Sequence, residues 1–261
     1  MSRHTLATWA VAVFTAALGS SAVLRAQTGS AAAGTGAAPP DFSGVYFPTL
    51  DGGGARPAGG PGPAGLPIDG SKGREPTAPK LTPEYLAKWE KVSKTRVAGS
   101  YEFDLQIHCL PPGMPAMMGM PYGFEILQTK DKISILSELN DAYRRIYLDG
   151  RKPSAKVLGD ATYAGYSTGH WEGDTLVVDT VALNPISYVE GFTPHSDEMT
   201  VKERIRFFGP GLLEDAITVT DPKAFTAPWS VVRHYKKAAP PNDEIREFAC
   251  SELFLSTPIP K

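Results

Sequence analysis

Cysteine is scarce in the 261 residues: Cys109 and Cys250 are the whole supply. No CxxC pair, HExxH run or Walker loop occurs, so the sequence signals of a thiolate zinc site, a zinc hydrolase and an NTPase are all missing. The expectation is a protein with no cofactor and no resident metal. Charge of one sign is also lacking. Lys and Arg number 26 against 28 Asp and Glu, for a net charge of −2, which leaves no electrostatic footprint for nucleic acid or an anionic membrane. The apolar run Leu6–Leu18 falls well short of the roughly 20 residues that span a bilayer.

That short run has a different use. Arg3 and His4 precede it, and the small residues Ser20, Ser21 and Ala22 follow, up to Ala26. These are the three parts of a secretory signal peptide, expected over residues 1–26 with cleavage after Ala22 or Ala26. No Cys follows the run to carry a lipid anchor. The implied localisation is periplasmic or secreted, with no stable membrane span after cleavage. In an oxidising compartment Cys109 and Cys250 are expected to form a disulfide; two free thiols are the alternative.

Glycine and proline are abundant, at 26 and 24, but unevenly placed. Residues 28–80 hold 13 Gly and 9 Pro, and residues 27–80 read as a flexible Gly/Pro/Ala-rich segment. One apolar island, residues 42–47, could be a short strand within it. Residues 81–261 read as a single β domain. It opens with a helix over 83–97, where Thr82 and Pro83 supply start signals and Tyr85, Leu86, Trp89 and Val92 form an apolar stripe.

Beyond Tyr122 the hydrophobic period becomes two. Strands are expected over 123–129, 132–139, 143–149, 161–171, 175–183, 199–208, 212–220, 230–236 and 244–250, separated by turns such as Asp149-Gly150, Gly173-Asp174 and Pro210-Gly211. The fold class is therefore mainly all-β: an antiparallel meander closing into a lipocalin-like barrel, with one N-terminal helix. A β-sandwich is the alternative.

The strand patterns single out charged residues. Glu203 shares a face with Met199, Val201, Ile205 and Phe207; Arg144 alternates with Ile146 and Leu148; Asp179 lies between Val177 and Val181. Arg144, Asp179 and Glu203 are candidates for one interior polar cluster. Glu203 is either an acid, base or ligand anchor, or half of a buried ion pair with an Arg from another strand. His195, in the loop leading to that strand, is a candidate general base with Ser196 or Asp197 beside it. Neighbours in sequence rarely present three side chains in line, however. The tentative catalytic set is His195, Glu203 and Asp179. The ligand-contacting set is Arg144, Tyr147, Met117, Met118 and Trp171. Four of the six Met fall between Met114 and Met120, just after His108 and Cys109. Thioethers bind Cu(I), but the alternative is an adaptable apolar loop plugging a barrel mouth, and no metal ligand is assigned.

Several strings together resemble a widespread family of exported bacterial β-rich proteins: Arg144–Arg151, Gly169–Thr180, Pro194–Asp197 with Glu203-Arg204, Asp221-Pro222, Pro228-Trp229, and Cys109–Met114 with the late Cys250. The resemblance spans roughly residues 105 to 252. It implies secretion and single-domain β-structure and transfers no catalytic residue. Ser43–Tyr46 is similar to the first-strand signature of lipocalin-like barrels, with Tyr in place of Trp. Three functions follow: an exported barrel binding a small, largely apolar or aromatic ligand; a cofactor-independent lyase, isomerase or hydrolase; or an envelope structural protein. The oligomeric state is not encoded in any of these signals.

Overall fold

The structure, a computed structural model, describes residues 38–50, 54–55 and 78–250, which belong to the unit Ala38–Lys261. The expected signal peptide, residues 1–26, and most of the 27–80 segment lie outside the described residues.

Ten strands form one sheet: β1 (Gly44–Leu50), β2 (Gly54–Ala55), β3 (Phe124–Gln128), β4 (Lys132–Ser137), β5 (Tyr143–Tyr147), β6 (Tyr166–Glu172), β7 (Thr175–Val181), β8 (Thr200–Gly209), β9 (Leu212–Thr220) and β10 (Trp229–Lys237). Their order is β10-β9-β8-β7-β6-β5-β4-β3-β1-β2, and β10 also pairs with β1. Nine strands therefore close into a barrel, and β2 only extends the end of β1. Closure runs through Tyr46↔Lys237 on one side of β1 and Tyr46↔Phe124 on the other. A small apolar island in a Gly/Pro-rich region thus becomes the staple between the first and last long strands.

The turns follow local chemistry. Gly173 and Gly211 take φ of +65° and +66°, a conformation in which any side chain is strained. They let two-residue loops join β6 to β7 and β8 to β9. The barrel departs from a pure meander at one joint. β5 and β6 run parallel, through Ile146↔Ser167 and Tyr147↔Thr168. Asp149-Gly150 does not close a hairpin. The Arg151 guanidinium folds back onto Asp149 (2.8 and 2.9 Å) and over the Tyr147 ring (4.2 Å). The chain then crosses over through a short helix, Ala155–Gly159 (α3), capped by the Ser154 hydroxyl. Parallel neighbours need such a crossover, so β6 begins only at Tyr166.

A second difference lies at the end of the described chain. Residues 244–250 pattern as a strand, yet 238–250 holds no strand. β1 already occupies the open edges of β3 and β10, so the closed barrel offers no edge to pair with.

The long helix, Pro83–Val97 (α1), buries Tyr85, Trp89 and Val92 at i, i+4 and i+7 spacing, while Leu86 stays exposed. A second short helix, Ala116–Gly119 (α2), places Met117 and Met118 in the core. The inward faces of the barrel supply most of that core, including Ile126, Ile133, Ile146, Leu176, Val178, Val201, Ile205, Leu213, Ile217 and Tyr235. Cys109 and Cys250 are joined, with Cα atoms 5.6 Å apart.

Candidate functional site

Strand alternation sends Arg144 inward from β5, and its long side chain reaches across two strands. Nε donates to the Ser167 hydroxyl on β6 (3.1 Å), Nη2 donates to Thr180 on β7 (2.9 Å), and Nη1 donates to Glu203 Oε1 on β8 (2.7 Å). Nη2 also donates to Glu203 Oε2, completing a bidentate pair. Both side chains are wholly buried. Ser167 and Thr180 lie 2.8 Å apart beneath the guanidinium. Burial alone would lower the guanidinium's pKa, but Glu203 opposes it and the pKa is raised.

Asp215 completes this cluster from β9. It is fully buried, and neither of its oxygens meets a donor from the described protein. Burial, then the charge of Glu203, pushes its pKa well above the usual carboxylate range, against the pull of Arg144. A shift in that direction favours the protonated, uncharged form of the side chain in this dry interior. Tyr235, also buried, completes the interior from β10 and donates to the Met118 carbonyl of α2 (2.7 Å). Burial raises its phenol pKa.

Arg144, Glu203, Asp215 and Tyr235 are each at most 1% exposed. A cavity large enough for a water beside them would leave surface on their atoms, so the space around this cluster is filled by side chains, as in other small barrels. The Met-rich segment helps fill it. Met114, Met117 and Met118 are buried in the core rather than presented to solvent, which matches the plug among the two roles that their sequence allows. Trp171 packs inward against Phe42 (5.3 Å), and Phe42 meets Phe207 edge-on (5.0 Å).

Asp179 does not join the cluster. It sits on the outer face of β7, 2.8 Å from the Lys202 ammonium, both exposed. Alternation explains why: Leu176, Val178 and Thr180 face inward, so the intervening residues face out. Val177 misled the pattern because it is buried on the outer face.

His195 is buried, and its two ring nitrogens meet different partners. Its Nδ1 lies 2.8 Å from the Ser196 carbonyl, and Nε2 lies 2.9 Å from the Ser187 hydroxyl. Burial lowers its pKa, against the Ser196 carbonyl and the Asp221 charge. In the neutral ring Nδ1–H donates to that carbonyl, and Nε2 competes with the Asn184 carbonyl (2.8 Å) for the single proton of the Ser187 hydroxyl. The next two residues diverge. Ser196 donates its hydroxyl to Asp221 (2.7 Å), while Asp197 pairs on the surface with Lys223 (3.0 Å). Ser187 and His195 have the spacing of a nucleophile and its base. Ser187 is nevertheless 0% exposed, pressed against Gly113, where a Cβ would fall 2.6 Å from its own Cβ. As it stands, the pair clamps the 184–196 loop to the segment leading into α2.

Tyr147 lies elsewhere again. It lines an open cleft of about 270 Å³ over the parallel joint, with Tyr166, Val157, Lys156, Thr162 and Ala182. The Tyr147 and Tyr166 rings are 5.2 Å apart. A second cleft, about 340 Å³, opens beside the disulfide.

Sequence reasoning missed Asp215, Ser167, Thr180, Tyr166 and Ser187. Asp215 had a readable signal, since it alternates with Leu213, Ile217 and Val219 just as Glu203 does with its neighbours. Ser187 had none, because its pairing with His195 depends on the fold of an irregular loop.

No protein-family model matches the chain, and no curated protein matches it. Among solved structures, a mutant of the fluorescent protein UnaG is similar over 45% of this chain and 72% of its own, at 16% identity and a TM-score of 0.28. Among the described residues no helix is long and apolar enough to cross a membrane.

Proposed function

We propose that the chain is an exported barrel protein that binds a small aromatic molecule, and that the ligand sits in the Tyr147–Tyr166 cleft rather than inside the barrel. One observation carries this reading: the interior is packed shut around Arg144 and Glu203, whereas the tyrosine pair flanks an open cleft at the joint where two strands run parallel. Adjacent aromatic faces favour a planar partner in offset or edge contact. A volume of about 270 Å³ lies just below the range usual for drug-sized ligands, about 300–1,000 Å³, which suits a single- or double-ring compound. Lys156 and Asp160 pair across the rim (3.3 Å) and leave the cleft without net charge, which favours a largely apolar ligand. The signal-peptide pattern of residues 1–26 and the disulfide support export.

Thermal unfolding in millimolar phenol, indole or benzoate tests the site. At least one should raise the melting temperature in a concentration-dependent way, and Tyr147→Ala should abolish the rise. A rise that persists in Tyr147→Ala, or none with any aromatic probe, overturns the assignment.

A further inference from the structure

The crossover that makes β5 and β6 parallel does not pack down on the barrel it spans. Its ends are fixed. On one side Arg151 pairs with Asp149 and lies over the Tyr147 ring (4.2 Å). On the other, the Thr162 N–H donates to the Ala182 carbonyl (3.0 Å). Between these anchors none of residues 152–160 is buried, and only Pro153 and Val157 are half-buried. The stretch contains all of α3. Among the described residues its hydrogen bonds stay within it: the Val157 N–H to the Ser154 hydroxyl (3.3 Å), the Leu158 N–H to the Ser154 carbonyl (3.0 Å) and the Lys156 ammonium to Asp160 (3.3 Å).

A helix normally buries an apolar stripe against a neighbouring element. α3 has apolar residues to bury, Ala155, Val157 and Leu158, yet none is buried and Leu158 is 51% exposed. Val157 lines the cleft together with Tyr147 and Tyr166, and about 270 Å³ of open space takes the place of the contact the helix would make. Leu158 is not part of that lining. Gly159 ends the helix with nothing within 4 Å of where a Cβ would stand, so the stretch can turn there without a side chain in the way.

We propose that residues 152–160 are a lid that closes on the aromatic ligand, turning α3 so that Val157 and Leu158 cover one face of the ring while Tyr147 and Tyr166 hold the other. The lid rests on the reading of this cleft as the ligand site and adds how the site is completed. A ligand shifts a conformational equilibrium only through contacts that differ between the two states. Here the differing contact is Leu158, which stands outside the open cleft and reaches the ligand only on closure. The ligand in turn supplies the apolar surface that α3 otherwise lacks. Its class narrows accordingly. It is a flat ring system apolar on both faces, because a polar group turned toward α3 would be set against Val157 and Leu158 without a partner.

The test uses the full chain with phenol, indole and benzoate, taking whichever raises the melting temperature. Leu158→Gln puts a helix-forming residue at an exposed position, so the melting temperature without probe should stay near the parent's. It should raise the probe concentration needed for a given shift by about fivefold, and Leu158→Met should keep the parental concentration. Trypsin reads the lid independently, because cleavage after Lys156 tracks the population of its open form. Saturating probe should slow that cleavage by about fivefold or more and leave cleavage after Lys94, exposed on α1, unchanged. A parental probe response in Leu158→Gln, or unchanged cleavage after Lys156 alongside a shift in melting temperature, overturns the lid and leaves the cleft as the site. An equal loss in Leu158→Met overturns the apolar contact on which closure depends. No shift with any of the three probes overturns the cleft reading, and the lid with it.

Discussion

At the residue scale, the interior shows which buried charges are held and which are merely tolerated. Arg144 and Glu203 satisfy each other through a two-pronged pair, with Ser167 and Thr180 taking two further guanidinium donors. Breaking one half of such a pair leaves a charge stranded at low dielectric, which costs about 3–5 kcal/mol. Glu203→Gln should lose about that much in urea unfolding, whereas a paired apolar replacement, Arg144→Met with Glu203→Leu, should lose far less. Asp215 behaves oppositely because it is buried without a donor, and burial raises its pKa. Its folded pKa lies above its unfolded value, so its favourable contribution is complete below the ordinary carboxylate range and declines as pH rises through that range toward the folded value. Asp215→Asn keeps the shape and can donate an amide N–H to Glu203 without ever ionising. The melting temperature of Asp215→Asn relative to the parent should therefore climb between pH 4 and pH 7. A difference that is flat with pH would show that Asp215 ionises normally. The facing charges belong to Glu203, Arg144 and Arg233, with the Tyr235 phenol alongside, and none but Asp215 is altered by the change.

At the scale of elements, alternation made most strands readable, because one face of each is buried and the other is wet. The period-two pattern of Leu212–Thr220 placed that strand to the residue. It failed where burial came from elsewhere, as at Val177, and where pairing depended on an edge that closure had already used, as at 244–250. Direction was invisible too. The sequence around Asp149-Gly150 carries turn residues either way, and only the crossover through α3 makes β5 and β6 parallel. Of the site residues, Arg144 and Glu203 were legible as a buried ion pair, but the tyrosine cleft was not. Tyr147 and Tyr166 are far apart in sequence and meet only because of that joint. α2 shows how a short element is held by one polar contact. Tyr235 donates to the Met118 carbonyl in the dry interior, so Tyr235→Phe leaves a buried acceptor unmet, at about 1–3 kcal/mol. Hydrogen exchange should show faster opening of α2 in that variant while β8 and β9 keep parental protection. Uniform loss of protection would mean that the helix and barrel open together.

At the scale of the whole chain, two closures act at different levels, and they can be separated. Hydrogen bonding closes the barrel through β1, between β3 and β10. The disulfide closes a loop of sequence separation 141, and it lies outside the strand ladder. Removing it should leave the ladder intact and act mainly on the unfolded chain, which regains the freedom to separate its ends. The chain-entropy relation places that effect at about 4–5 kcal/mol for a loop this long. A protein in which both cysteines are replaced by Ala should therefore keep the far-ultraviolet dichroism of the parent and unfold at a lower urea concentration. Because native contacts in the barrel are unchanged, the loss should fall with the loop the bond encloses, not with the few side chains around it. A loss well below 1 kcal/mol would mean that the unfolded chain already holds these segments together. A parallel loss of β dichroism would mean that the strands need the covalent link to close.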